Sequence, residues 1–286
     1  PQDVSVITVA TEGMTVTAQS LTATLYLREW LSVREEADDG RFYWTNTIRE
    51  TAVATETVTT DDAGQALVTF TPEEGGSYRV LVTGLDAREN EVRSSAYLWV
   101  SAREYVNWGQ ENTDAIELIA DRDLYRPGET ATILIPSPYE GEVQALLTIE
   151  RGRVLERRLL TLTSNSEQIE IPITADYAPN VFVSVTIVQG MGEESATPSM
   201  KVGYVELPVS TEQQELTITI TPDGDEFRPR EEVTFHILAQ DYQGQGVEAE
   251  MSVKLVDRAV EALTGGDPTN IVEEFYRQRP LAVETG

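Results

Sequence analysis

The sequence predicts an all-β chain of tandem antiparallel β-sandwiches, with two short helices near the C-terminus. Three observations lead there. Short alternating apolar runs, bounded by turn residues, recur along the 286 residues at the roughly 8–12-residue spacing of sandwich strands. The stretch Asp121-Arg122-Asp123-Leu124-Tyr125-Arg126-Pro127-Gly128-Glu129 returns 102 residues later as Asp223-Gly224-Asp225-Glu226-Phe227-Arg228-Pro229-Arg230-Glu231. A period of about 100 residues is too long for a solenoid and fits a string of small domains. Apolar residues make up 40% and aromatics 7% of the chain, enough to fill ordinary cores.

The first unit, residues 1–103, shows runs at 4–9, 21–27, 53–59, 66–70, 78–83 and 95–100, with Asp61-Asp62-Ala63-Gly64 and Gly75-Gly76 as turns between them. It has six runs, and the strand-turn motif that opens the later units is missing. Val4 falls opposite Val233, just past the motif, so this unit is expected to lack its first strand.

The middle unit, residues 104–209, is expected to be a complete seven-stranded sandwich. Its runs lie at 116–119, 130–135, 143–150, 154–162, 168–173, 181–189 and 200–209. The run from Val181 to Val188 is apolar at nearly every position, as in a central strand. In the motif, Pro127 presets φ for the second position of a turn and Gly128 tolerates the positive φ that a type II turn requires. The aromatic at Tyr125 or Phe227 is expected to fold back as an apolar plug at the bottom of its sandwich. Arg230 stands where the first copy has glycine, which argues for a type I turn there.

The third unit, residues 210–286, supplies three runs, at 216–221, 233–239 and 249–256. Residues 256–263 and 270–276 read as short helices, the second capped by Asn270 with Glu273 three positions on. Three strands do not close a sandwich that takes seven next door. The remaining strands are expected beyond Gly286, or the unit is partly open.

Composition removes several function classes. With 21 basic against 49 acidic residues the formal net charge is −28, a surface that repels nucleic-acid backbones and anionic membranes. The acidic residues are dispersed, which suits a solvated surface better than an acidic tail. The chain has no cysteine, hence no disulfide and no thiol chemistry within it. No apolar run approaches the roughly 18 residues of a membrane span. Pro1-Gln2-Asp3 does not open a signal peptide, so any address is expected to have been removed or to lie outside these residues.

Candidate chemistry is sparse. His236 is the only histidine. It sits between Phe235 and Ile237 on an alternating strand, pointing away from the core face, with no glycine-rich elbow beside it. The pairs Asp121/Asp123 and Asp223/Asp225 could offer oxygens to calcium at domain junctions, although the full Asp-x-Asp-x-Asp-Gly loop is absent. Such carboxylates more often bond their own backbone in turns. No phosphate-cradling glycine loop, cysteine–histidine metal spacing, aromatic platform or paired-carboxylate site is apparent. No catalytic, cofactor-binding or metal-ligating residue is assigned.

Several stretches together resemble bacterial α2-macroglobulins. They are Tyr125-Arg126-Pro127-Gly128-Glu129; the segment from Asp176-Tyr177-Ala178-Pro179-Asn180 to Val185; Val256-Asp257-Arg258-Ala259-Val260; Asn270-Ile271; and Phe275-Tyr276-Arg277-Gln278-Arg279-Pro280-Leu281. In the first unit, Leu25-Tyr26-Leu27-Arg28-Glu29-Trp30, Gly75-Gly76-Ser77-Tyr78-Arg79-Val80 and Tyr97-Leu98-Trp99-Val100-Ser101 fit the same family. The likeness covers essentially the whole chain.

The resemblance implies consecutive macroglobulin-type, immunoglobulin- or fibronectin-like β-sandwiches from the middle of a much larger protease trap. It implies a non-enzymatic scaffold without cofactors, located outside the cytoplasm in the periplasm, in the cell envelope or as a secreted protein. Its partners would be target proteases, met through a bait region beyond Gly286, together with neighbouring domains of the parent chain and the cell envelope. The family's thioester needs a Cys and a Gln in a short motif, and this chain has no Cys. A rival reading is a calcium-stiffened surface adhesin or stalk using Asp121, Asp123, Asp223 and Asp225.

Overall fold

The computed structural model describes residues 1–36, 42–102, 105–109, 112–191, 198–224, 227, 231–253 and 271–283. Among these the chain is nearly all β, in antiparallel sheets. The first unit pairs β1 (Gln2–Ile7) with β4 (Gln65–Phe70) in register from Gln2 opposite Phe70 to Ile7 opposite Gln65. Facing that pair is a four-stranded sheet of β2 (Ser20–Glu36), β3 (Phe42–Thr59), β5 (Gly76–Leu85) and β6 (Glu91–Val100), ordered β3-β2-β5-β6. Alternation along β2 sends Leu21, Ala23 and Leu25 inward, as the two-residue side-chain period of a strand demands. There Ala23, Leu25, Tyr78 and Val80 meet Val68 and Phe70 of the opposite sheet.

The β2–β3 hairpin runs far beyond that core, its pairing continuing from Trp30 opposite Ile48 to Glu36 opposite Phe42. Leu31, Val33, Tyr43 and Ile48 on this extension are exposed. With no buried face, it carries no clean apolar alternation, and the sequence runs stop short of it at 21–27 and 53–59.

The middle unit holds the larger core. A four-stranded sheet, ordered β10-β9-β12-β13, comprises β9 (Val143–Glu150), β10 (Val154–Leu162), β12 (Asn180–Gln189) and β13 (Ser199–Pro208). It packs on a three-stranded sheet, ordered β11-β8-β7, of β7 (Ile119–Ala120), β8 (Thr130–Pro136) and β11 (Ser166–Pro172). β12 lies between β9 and β13, and its Val181, Val183, Val185 and Ile187 are fully buried. Each contributes about 1.5–3 kcal/mol relative to exposure, so this layer anchors the described chain.

The run at 116–119 forms a shorter strand than its pattern suggests. Ala115 bridges Val202 in parallel, Ile116 N donates to Val202 O at 2.9 Å, and only Ile119–Ala120 pairs with β8. The segment thus begins on one sheet and ends on the other. It lies so close to β13 that a Cβ on Gly203 would sit 2.6 Å from Ile116 O.

The third unit contributes β14 (Thr217–Pro222) paired with β15 (Phe235–Gln240). Every residue of β14 is exposed, and in β15 only Ala239 is buried. The strand expected over 249–256 is not formed over the described residues 249–253, which have no ladder partner among the described residues. The helix expected over 256–263, together with Asn270, Asp225 and Arg230, lies outside the described residues. The second expected helix is present as α1 (Ile271–Phe275). No helix among the described residues is long and apolar enough to cross a membrane.

Candidate functional site

The repeated motif is a corner built around Tyr125. Glu129 N donates to Arg126 O at 3.0 Å, closing a turn in which Gly128 has φ +96°, the conformation of a type II turn. The Glu129 carboxylate accepts from Arg126 N at 2.8 Å and from Arg122 Nη1 at 3.1 Å. Gly128 N donates to Ile173 O, and Ile173 N to Glu129 O, both at 2.8 Å, tying the turn to the end of β11.

The Tyr125 ring is fully buried in the middle core. Its hydroxyl donates to Asp121 Oδ1 at 2.8 Å and accepts from Arg122 N at 3.1 Å. Burial, and then the bond donated to Asp121, push its pKa well above the ordinary tyrosine value. Its main chain holds the exit from β13, with Tyr125 N donating to Pro208 O at 3.0 Å and Ser210 N to Tyr125 O at 2.8 Å. One residue therefore plugs the core and fixes the path into the third unit.

The second copy departs from this. Phe227 is 39% exposed, and among the described residues the two-stranded ribbon beside it encloses no core, so the plug expected there is not made among them.

Asp121 serves as a turn residue. Asp121 Oδ1 accepts from Thr132 N at 2.7 Å as well as from the Tyr125 hydroxyl, and Asp121 Oδ2 lies 3.8 Å from Arg122 Nε. A calcium ion here would have to compete with those bonds. Asp123 and Asp223 are exposed, and Asp223 N donates to Thr234 O at 2.9 Å. Among the described residues no group of three or more His, Cys, Asp or Glu could hold a metal ion. His236 is exposed on β15 opposite Thr221. The structure does not bring His236 and these aspartates together into one site.

What the structure does assemble is a set of main-chain clamps made by asparagine side chains. Asn165, in the turn between β10 and β11, accepts from Val106 N at 3.0 Å and donates to Val106 O at 2.6 Å. Asn112 makes the same double bond to the main chain of Trp44 on the long hairpin, donating to Trp44 O at 2.7 Å. Asn180, at the start of β12, accepts from Arg279 N at 2.9 Å and donates to Arg279 O at 2.8 Å. A carboxamide carries both a donor and an acceptor, so it satisfies a main-chain residue as a ladder neighbour would.

Each clamp sits where one unit meets the next piece of chain. Around Asn165, Ser166 Oγ donates to Ala102 O at 2.6 Å and accepts from Ala102 N at 3.1 Å. Trp108 Nε1 donates to Asn165 O at 2.7 Å, and Asn107 Nδ2 donates to Trp30 O at 2.7 Å. The connection leaving β6 is thereby tied to both sandwiches.

Around Asn180, residues 276–281 lie along the end of the middle sandwich. Gln278 Nε2 donates to Glu206 Oε1 at 2.5 Å, and Gly152 N donates to Leu281 O at 2.9 Å. Tyr276 packs against the core. Beneath this segment, the Arg151 guanidinium donates to the carbonyls of Asp176, Tyr177, Ala178 and Asn180. Burial first, and the nearby Arg279 cation second, lower its pKa. Such joints position one piece of chain against another.

Sequence reasoning missed the clamps. Asn165 and Asn180 are buried and Asn112 is exposed, and neither state can be read from a single Asn in the sequence.

Known proteins resemble the sequence over nearly its whole length. A family model described as the alpha-2-macroglobulin bait region domain matches residues 116–263, and one described as bacterial macroglobulin domain 6 matches residues 1–100. An alpha-2-macroglobulin homolog of Nostoc sp. is 26% identical over 285 residues, covering 98% of this chain and 15% of its own length. The alpha-2-macroglobulin of Xylella fastidiosa is 26% identical over 288 residues, covering 96% of this chain and 16% of its own length. Among solved structures, the native conformation of E. coli alpha-2-macroglobulin is similar at 20% identity and a TM-score of 0.34, covering 97% of this chain and 17% of that one. The chain thus spans about one-sixth of the length of the relatives it matches.

Proposed function

The chain belongs to the alpha-2-macroglobulin family, and from that premise we propose that it is a passive scaffold segment of a larger protein that traps proteases after they cut a bait segment. The observation that carries this reading is the match of a bait-region domain model to residues 116–263, the stretch that includes the pinned middle sandwich. Its role is mechanical: three consecutive units, divided near residues 103/104 and 209/210, hold fixed positions while the cut releases chain elsewhere. The third unit is completed by strands from the parent chain, which is consistent with the exposed ribbon of β14 and β15.

The cut segment lies past Gly286, following the docked residues 276–281. The partners are target proteases and neighbouring domains of the parent. The chain performs no catalysis of its own and works outside the cytoplasm, in the periplasm, in the envelope or as a secreted protein. A net charge of −28 weighs against nucleic-acid partners.

The test is to expose the full-length parent to several unrelated proteases, sequence the new termini and follow each protease by gel filtration. Cuts clustered in one segment after Gly286, with the protease eluting in the scaffold fraction, support the reading. Dispersed cuts with no retained protease refute it.

A further inference from the structure

The end of the middle sandwich, where residues 276–281 lie, has the properties of a peptide-recognition groove. Its occupant is held both through the backbone of Arg279 and Leu281 and through the side chains of Tyr276 and Gln278. Asn180, fully buried, contributes both amide groups to Arg279. Gly152 N holds Leu281 O, Glu206 holds the Gln278 side chain, and the core edge takes the Tyr276 ring. Asn180 Nδ2 also donates to Glu206 Oε1 at 2.8 Å, so the two groove side chains that hydrogen-bond the peptide are themselves joined.

The preceding α1 is five residues long and has no buried residue, and a helix so short does not persist by itself. Beside the segment remains a cavity of about 830 Å³. Gln214 on its wall has a buried Oε1 that accepts no hydrogen bond among the described residues. The groove is built from β12, β13 and the β9–β10 turn of the middle sandwich, whereas residues 277–280 of its ligand are exposed.

We propose that this groove is a dedicated binding site for an extended peptide of the type Tyr-Arg-Gln-Arg-Pro-Leu, occupied in cis by residues 276–281 as a releasable latch. Asn180 determines backbone register and Glu206 selects a donor side chain two residues after the aromatic. A peptide of the same sequence added in trans competes for the same contacts, since an intramolecular occupant acts as a high effective concentration of ligand. The inference stands apart from the protease reading, because it concerns only which chain segment the groove accepts.

The test uses the whole 286-residue chain and a fluorescently labelled peptide spanning residues 275–283. Tyr276→Ala with Gln278→Ala removes the latch's two side-chain contacts, to the core edge and to Glu206, and substitutes no residue of the sandwich itself. In that variant the labelled peptide should bind saturably, and a scrambled peptide should not. The unaltered chain should bind it at least about tenfold more weakly, since its own latch competes. Adding Asn180→Ala to the double variant should abolish binding. Hydrogen exchange gives a second readout: the amides of Arg279 and Gly152 should be protected in the unaltered chain and lose protection together in the double variant. Equal affinity for both chains, equal binding of the scrambled peptide, or free exchange of both amides in the unaltered chain would each overturn the proposal.

Discussion

Asn165 and Val106 meet as two rungs of a ladder would, although 59 residues separate them and neither belongs to a shared strand. The carboxamide accepts from Val106 N at 3.0 Å and donates to Val106 O at 2.6 Å, and both residues are buried, at 6% and 4% exposure. Replacing Asn165 by Ala leaves a buried donor and a buried acceptor unpaired, a loss of about 2–4 kcal/mol at the junction. The middle sandwich itself keeps its core. Chemical denaturation should therefore show a lower midpoint, and hydrogen exchange should show loss of protection at Val106 and Ala102 with little change along β12.

Tyr125 links stability to alkaline pH. Its phenol pKa is raised, by burial first and by the bond to Asp121 second. The folded state then keeps a proton that the unfolded chain releases, so the group's contribution is complete below the ordinary tyrosine value of about 10 and is lost as pH rises above it. Tyr125→Phe should cost about 1 kcal/mol near neutrality through the lost hydrogen bonds. It should also flatten the alkaline decline of the thermal midpoint. Part of the slope should persist, because burial raises the Tyr78 and Tyr177 phenols as well. Thermal melts across alkaline pH, with tyrosinate absorbance recorded alongside, check both statements.

Gly128 and Gly203 should separate two kinds of glycine requirement. At Gly128, φ is +96° and a Cβ would meet nothing within 4 Å. The cost of Gly128→Ala is then backbone strain alone, about 1–2 kcal/mol. At Gly203 a Cβ would sit 2.6 Å from Ile116 O, 2.7 Å from Ile116 Cγ1 and 3.0 Å from Leu118 Cγ. Gly203→Ala must push residues 116–118 off β13, a larger effect of about 2–3 kcal/mol. Denaturant titration of the two variants should rank them in that order, with exchange at the Ile116 amide rising only for Gly203→Ala.

Much of the fold could be read from pattern alone, because each core strand has one buried face. The runs at 130–135, 143–150 and 181–189 coincide almost residue for residue with β8, β9 and β12. Pro127-Gly128 announced its type II turn through the one residue that accepts positive φ. Legibility fails where burial does not supply the period. The β2–β3 extension is exposed, residues 115–120 divide their bonds between two sheets, and 249–253 have no partner strand among the described residues. The motif at 223–231 looks like its twin, yet among the described residues Phe227 finds no core to fill. A turn motif encodes the corner, while the plug depends on strands packed around it. The asparagine clamps were illegible for a related reason, since their chemistry follows from long-range placement.

The measurement closest to the centre of this account is the distribution of distances between the first two sandwiches. The chain contains no cysteine, so spin labels can be placed by Ser94→Cys on exposed β6 and Arg157→Cys on exposed β10. Pulsed dipolar spectroscopy should give one narrow distance peak, which broadens when Asn165→Ala is added. A broad distribution in the chain with Asn165 intact would contradict a rigid scaffold pinned at its junctions.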